Sequence, residues 1–320
     1  MSVEPGDVPD AERGRDGDAM RTLFAQTAAA VRDLASRGKV ADYIPALARV
    51  SPDKLAISAA TIEGERWSTG DHAEPFSIQS ISKVFTLTLV MRAMADELWE
   101  RVGREPSGDP FNSLVQLEYE RGRPRNPFIN AGALVVADCM ITSYADAKAR
   151  LAELVAELTG EEASFDAEVA RSEAETGFRN RSLAHLMKSF GNIRNDVDEV
   201  VDLYFTQCAL AMTSDQLARA FRYLANEGRE PASGEEILSP LQARRVNSLL
   251  LTCGTYDAAG ESAFRVGLPV KSGVGGGMVA IVPRRLALSV WSPALDATGN
   301  SVAGRAALER LATAAGWSVF

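Results

Sequence analysis

The stretch Gly277-Met278-Val279-Ala280-Ile281-Val282-Pro283-Arg284-Arg285-Leu286-Ala287-Leu288-Ser289-Val290-Trp291 decides the fold class. Two short apolar runs, Gly277–Val282 and Leu286–Trp291, flank a Pro-Arg-Arg break, and they read as the strands of a hairpin. Just upstream, Ala263–Leu268 is expected as a third strand. Far back in the chain, Lys54–Ile62 and Glu65–Ser68 read as another strand pair, with Glu63-Gly64 at the turn. Outside the strands lie two amphipathic helices. From about Met20, Leu23, Phe24, Thr27, Ala28, Val31 and Leu34 recur at three- and four-residue spacing; within Ser301–Ala315 the apolar face carries Val302, Ala306, Leu308 and Leu311. From about Asn112 to Leu251 the pattern is mostly helical, broken at Gly122-Arg123-Pro124, Thr159-Gly160 and the Gly228–Gly234 loop. The order helix, two strands, helical insert, three strands, helix predicts an α+β fold. Its antiparallel sheet draws strands from both chain ends, is flanked by the terminal helices and carries a large helical insert.

Composition narrows the chemistry. At 320 residues, 46% hydrophobic and 24% charged, the chain has ample material for a buried core. Residues 1–19 are polar and bear Pro and Gly without apolar periodicity, so they read as a disordered tail. The tail has no apolar core of a secretory signal and the chain has no long apolar run, so a cytoplasmic protein is expected. A net charge of −9 argues against nucleic acid as a partner, because phosphate binding needs a basic face. Only two histidines occur, His72 in a turn-like run and His185 in a helix-like stretch, and both read as structural or exposed. Cys139, Cys208 and Cys253 are far apart, so there is no disulfide framework and no metal-ligand spacing; no metal is expected.

Lysine is scarce as well: Lys39, Lys54, Lys83, Lys148, Lys188 and Lys271 are all there are. Ser80-Ile81-Ser82-Lys83 forms a Ser-x-x-Lys motif, and on a helix positions i and i+3 share a face, so hydroxyl and amine can meet. The bare motif means little, since Ser36–Lys39 and Ser51–Lys54 match it too. Context separates them. Gly38 and Pro52 mark a helix end and a turn, whereas Ser80 opens a long apolar segment to Leu98. Within that segment Thr86-Leu87-Thr88-Leu89-Val90 alternates like a strand, but the spacing Leu87, Met91, Met94, Leu98 favours a helix. Holding a free lysine neutral at pH 7 costs roughly 4.6 kcal/mol. A helix dipole supplies only about 0.3–1 kcal/mol of that, so burial or a second cation must provide the rest. Lys271, in Lys271-Ser272-Gly273-Val274, is the candidate second cation. The Gly275–Gly277 run after it reads either as a flexible loop or as a place where backbone approaches a substrate closely.

These motifs, taken together, resemble the serine-dependent glutaminase family, which has a β-lactamase/transpeptidase-like fold. The matching stretches are Gly38–Pro45, Gln79–Lys83, Asn126–Ala133, Ser172–Asn180, Cys253–Asp257 and Val266–Val274, in family order and spacing. The resemblance implies a catalytic domain over residues 20–320, with a sheet part at about 20–98 and 262–320 and a helical part at about 99–261. It implies hydrolysis of L-glutamine to L-glutamate and ammonia without a cofactor, by a protein that assembles as a dimer or tetramer. It implies Ser80 as nucleophile, Lys83 as its activator and Tyr256 as a proton-transfer partner. It implies glutamine binding by Tyr43, Ser80, Asn130, Glu173, Asn180, Tyr204, Tyr256 and Val274, with Tyr43 on a mobile segment. Chemically, Glu173 suits the substrate ammonium, and Asn130, Asn180 and Tyr204 offer neutral donors for its carboxylate. The backbone N–H groups of Ser80 and Val274 suit an oxyanion.

Each residue also has an ordinary reading. Asn126 and Asn130 bracket Pro127 like turn or cap residues. Glu173 lies in a charged run, Asn180 lies between two arginines, Tyr204 sits in a core-like helix, and Tyr256 sits beside turn residues. The departures from the family pattern are Phe178, where a polar residue is common, and Ser272 in the Lys-Ser/Thr-Gly position. Penicillin-recognising enzymes share Ser-x-x-Lys and Lys-Ser/Thr-Gly, but their Ser-Asp-Asn element has no counterpart here; the nearest string is Ser214-Asp215-Gln216. Intact Ser80, Lys83 and Tyr256 argue against a catalytically dead binding protein.

Overall fold

A computed structural model describes residues 10–108 and 112–320. Helix α1 is Asp10–Val31, and strands β1 (Ala56–Thr61) and β2 (Arg66–Gly70) form the first hairpin. Short strand β3 (Phe76–Ser77) leads through a 3-10 turn, Gln79–Ser82, into α2 (Lys83–Met94). The helical insert includes α3 (Asn130–Ser143), α4 (Ala167–Thr176), α5 (Phe178–Ser189), α6 (Val197–Cys208) and α7 (Ser214–Ala220). It also holds two short strands, β4 (Ser164–Phe165) and β5 (Leu210–Met212). Strands β6 (Val270–Ser272), β7 (Gly277–Val282) and β8 (Leu286–Trp291) precede the last helix, α8 (Val302–Ala315). No helix among the described residues is long and apolar enough to cross a membrane.

The main sheet is antiparallel, in the order β2-β1-β8-β7-β6. Its centre is the pairing of β1 with β8, which joins the two ends of the chain. Side chains alternate across it, as strand geometry requires. Ile57, Met278, Ala280, Leu288 and Val290 pack with Phe24, Val31, Leu308 and Leu311 of α1 and α8. Ala56, Val279, Ile281, Ala287 and Trp291 face the helical insert. Both faces are covered, so β1, β7 and β8 are buried along their whole length and read as continuous apolar runs.

The mixed α/antiparallel-sheet class stands, and three details differ from expectation. The expected strand Ala263–Leu268 is instead the end of the helix Ala259–Arg265 and the turn after it; the third strand begins after Pro269. Glu261 and Arg265 pair at i,i+4, and Phe264 points to solvent, so the apparent alternation was helical. Helix α1 begins at Asp10, inside the stretch 1–19 expected as a tail, because a helix nucleated by the packed segment from Met20 propagates cheaply; residues 1–9 lie outside the described residues. A second small sheet, β3-β5-β4, joins β3 to the helical insert, and its strands are too short to leave a periodic signal. Residues 86–90 are helical. Every residue from Lys83 to Met91 is buried, so α2 has no polar face to reveal a helical period.

Trp291 ties the two parts together. Its ring stacks on Phe76 at 4.7 Å and 2°, and its indole N–H donates to the Gly275 carbonyl at 3.0 Å. Trp291→Ala is expected to cost about 3–5 kcal/mol, read as a lowered urea midpoint.

Candidate active site

Ser80 is presented by a backbone held from three sides. On one side, β3 pairs with β5, and the Ile78 N–H donates to the Leu210 carbonyl at 2.9 Å. On the second, the Ser82 hydroxyl donates to the Gln79 carbonyl at 2.7 Å and closes the 3-10 turn. On the third lies the glycine run. A Cβ on Gly273 would sit 2.4 Å from the Ile78 carbonyl oxygen and 3.4 Å from Ser80 N, and one on Gly275 2.2 Å from the Ser77 carbonyl oxygen. The glycines are therefore neither loose nor aimed at substrate alone; they let the β6–β7 connection lie directly against the turn that carries Ser80. Gln79, at φ 52°, occupies the left-handed region, a strain of about 1–3 kcal/mol for a non-glycine residue. Tyr256, at φ 56°, shares it.

The turn places Ser80 three residues before Lys83, the first residue of α2, with both side chains buried. The Ser80 side chain hydrogen-bonds the Tyr256 phenol. That phenol donates its own proton to the Ser272 carbonyl at 3.2 Å, so Ser80 is the donor to it. The Lys83 amine donates to Asn130 Oδ1 at 2.8 Å and to the Phe128 carbonyl at 3.1 Å. Asn130, at the start of α3, donates in turn to Asn180 Oδ1 at 3.0 Å. Lys83 lies 5.6 Å from the Tyr204 ring centre, and Tyr204 on α6 hydrogen-bonds the Cys208 side chain. Lys271 is completely buried, with its amine 4.9 Å from the Tyr256 ring centre and donating to the Gly254 and Ser272 carbonyls.

A pocket of about 560 Å³, counting its open mouth, collects these groups. Tyr43, Ser80, Asn130, Glu173, Asn180, Tyr204 and Val274 all line it, from segments as distant in sequence as residues 43 and 274. Lys83 and Tyr256 stand behind the lining, one bond away through Asn130 and Ser80. Tyr43 is more than half exposed, on a segment clamped at both ends. Lys39 exchanges two backbone hydrogen bonds with Leu295, while Ala46 N–H donates to Ser172 Oγ and Arg49 pairs with Glu168. The competing motifs do not converge here: Lys39 pairs with Asp42, and Lys54 with Glu74 and Asp71, on the surface. His185 is exposed, and His72 pairs with Asp215 at 2.7 Å, away from the pocket.

Burial dominates the electrostatics. It lowers the Lys83 amine to about 8, against smaller opposing effects of Cys208 and Glu173. Keeping Lys83 neutral at pH 7 then costs only about 1.4 kcal/mol. Lys271 is also driven well below the ordinary lysine value, by burial first and the Lys83 charge second. Of the two routes open from the sequence, burial rather than a second cation accounts for Lys83. Burial raises the Glu173 carboxyl to about 7, with a Gln79 hydrogen bond and Lys83 pulling the other way. Burial raises the Tyr256 phenol too, so it is a neutral donor and acceptor.

Several pocket residues were not singled out from sequence: Gln79, Ile44, Asn112, Thr176, Gly177 and Arg179. All but Asn112 sit inside the matched stretches, so the available signal was their adjacency to Tyr43, Ser80 and Asn180.

A serine, two pK-depressed lysines and a tyrosine around a pocket with one buried carboxyl fit an acyl-transfer hydrolase of a small zwitterion. The glutaminase family model matches residues 38–320. The chain belongs to the glutaminase family. The glutaminase of Cronobacter sakazakii is 56% identical over 300 residues, 93% of this chain and 97% of that protein. The solved structure of the probable glutaminase ybaS superposes with a TM-score of 0.88 at 33% identity, covering 95% of this chain and 98% of that one. The Bacillus subtilis glutaminase YbgJ, solved as a covalent complex with 5-oxo-L-norleucine formed by reaction with 6-diazo-5-oxo-L-norleucine, superposes at 0.86 and 32% identity, covering 94% and 99%. This enzyme is a glutaminase, and the close fit of Gly273 can be tested in it. Gly273→Ala is expected to displace the Ser80 turn and lower turnover about 10²-fold. The same variant should lower the melting temperature by less than about 10 °C.

Proposed function

We propose that the enzyme hydrolyses L-glutamine to L-glutamate and ammonia through an acyl-enzyme on Ser80, within a β-lactamase-like fold. The observation that carries this is the Ser80–Tyr256 hydrogen bond beside a buried Lys83 lowered to about 8, at the floor of a pocket with Glu173 on its wall. The covalent adduct of the Bacillus relative with a glutamine-like ketone supports a nucleophile in the equivalent fold. In this reading Glu173, as carboxylate, pairs with the substrate ammonium, while Asn130, Asn180, Tyr204 and Tyr43 hold its carboxylate end. The side-chain amide then lies against Ser80. As Oγ bonds to the amide carbon, the Ser80 hydroxyl turns from Tyr256 and gives its proton to neutral Lys83. The backbone N–H groups of Ser80 and Val274 hold the oxygen as it gains charge, a contribution of about 2.7–4 kcal/mol per donor. As the C–N bond breaks, Tyr256 delivers a proton to the departing nitrogen and regains one from Lys83, so ammonia leaves. Water then attacks the ester by the reverse route, releasing glutamate and restoring Ser80.

The catalytic unit is proposed to span residues 20–320, with sheet part (about 20–98 and 262–320) and helical part (about 99–261) meeting at the pocket. A cytoplasmic setting is supported by three buried free cysteines. The same reading includes assembly as a homo-oligomer, dimer or tetramer.

Ser80→Ala and Lys83→Ala are each expected to reduce ammonia release from L-glutamine by at least about 10³-fold while keeping the wild-type melting temperature within a few degrees. Substantial turnover in Ser80→Ala would overturn the assignment. The kcat/KM of the wild-type enzyme is expected to climb with pH through about 7 and about 8, as Glu173 ionises and Lys83 loses its proton. Glu173→Gln should raise KM more than it lowers kcat and should remove the limb near 7, measured by steady-state ammonia release across pH.

A further inference from the structure

We propose that Gln79 is a positioning residue that joins substrate-ammonium recognition to the nucleophile, by fixing the Glu173 carboxyl and the Ser80 turn through one side-chain amide. The inference rests on the reading of Glu173 as the ammonium partner and Ser80 as the nucleophile. Gln79 is 2% exposed, lines the pocket and immediately precedes Ser80. Its Nε2 donates to Ser77 Oγ at 3.0 Å, and the Ser77 hydroxyl donates to the Cys208 carbonyl at 2.8 Å. Because the Ser77 proton is committed, the serine oxygen accepts, and this fixes which way the Gln79 amide faces. Gln79 and Glu173 line the same pocket, and the Gln79 amide favours the ionised form of the Glu173 carboxyl, as a donor does. An NH₂ group has two hydrogens, and these two acceptors use both.

The backbone completes the argument. Gln79 holds φ 52°, and a Cβ on Gly275 would come 3.5 Å from Gln79 Cγ, so the residue is wedged between the glycine run and the pocket. Glycine is the residue that tolerates this backbone, yet a buried glutamine stands here. The packing around the turn holds that strain, and the amide is what a glutamine adds there over a glycine. When a cation arrives at Glu173, the carboxylate it meets is already aimed by a group one peptide bond from Ser80. Glu173 and the nucleophile therefore respond to substrate as one unit rather than as separate contacts.

The test is the pH profile of kcat/KM in two variants. Gln79→Met keeps the length of the side chain and removes the donor. Gln79→Gly also removes it and is at ease at φ 52°, so it folds even where the first does not. In both, the limb belonging to Glu173 is expected to move up by about one pH unit. Near pH 7 the apparent KM should then rise about fivefold, with kcat at high pH less affected. A limb at the wild-type position in both variants overturns the proposal. Placed on a Glu173→Gln background, Gln79→Met should raise KM no further; an additive loss would mean that Gln79 acts elsewhere, and would also overturn it. If Glu173→Gln itself keeps wild-type KM and the limb near 7, it is the ammonium reading of Glu173 that fails, which the Gln79 variants alone cannot mimic.

Discussion

The Lys83 side chain enters the interior at the junction of sheet and helical insert, with its amine between Asn130 Oδ1 and the Phe128 carbonyl. An ammonium buried there without a carboxylate pressed against it is costly, so the amine is shifted towards neutrality instead. Much of the surrounding structure serves that burial. Helix α2 is buried through Met91, α3 begins at the residue that accepts from Lys83, and Glu173 is kept at a distance where it only moderates the shift. Lys271 repeats the arrangement on the sheet side, with carbonyls rather than carboxylates as partners. Two buried lysines shifted towards neutrality, in a protein of net charge −9, mark where the interior departs most from ordinary lysine chemistry.

The second constraint is steric. Strand β3, the 3-10 turn and the β6–β7 connection lie so close that Gly273 and Gly275 admit no side chain. Left-handed backbone at Gln79 and Tyr256 falls at the two residues that flank or bond Ser80. Packing of Phe76 on Trp291 and pairing of β3 with β5 hold that strain in place. Ser80 on such a turn is held rigid before substrate arrives, which in the proposed reaction is what turns proximity into rate.

Much of the architecture was legible from sequence, and its misreadings have clear causes. The hairpin of β7 and β8 and the hairpin of β1 and β2 announced themselves through short apolar runs and turn residues. The expected strand Ala263–Leu268 overlaps the end of the helix Ala259–Arg265, and its apolar residues look like one strand although Phe264 points to solvent. Strands of two or three residues, such as β3, have no period to read. At the site, Ser80 and Lys83 were separated from two look-alike pairs by the long apolar segment they open, and burial is the property that distinguishes them. Gln79 was passed over because a glutamine beside a serine carries no pattern; its importance lies in a φ angle and in two acceptors.

Sequence alone determined the α+β class, the pairing of chain ends into one sheet, the scarcity of histidine that leaves lysine and tyrosine as the candidate proton carriers, and the short list of candidate residues. These follow from local periodicity and residue chemistry, which need no third dimension. Only the tertiary structure decided that Lys83 and Lys271 are both buried and that the Ser80 hydroxyl faces Tyr256. It also decided that Glu173 sits beside Gln79, nearly a hundred residues away in sequence. Desolvation and hydrogen-bond geometry depend on what surrounds a group in space, and those surroundings are supplied by segments that the chain brings together only when it folds.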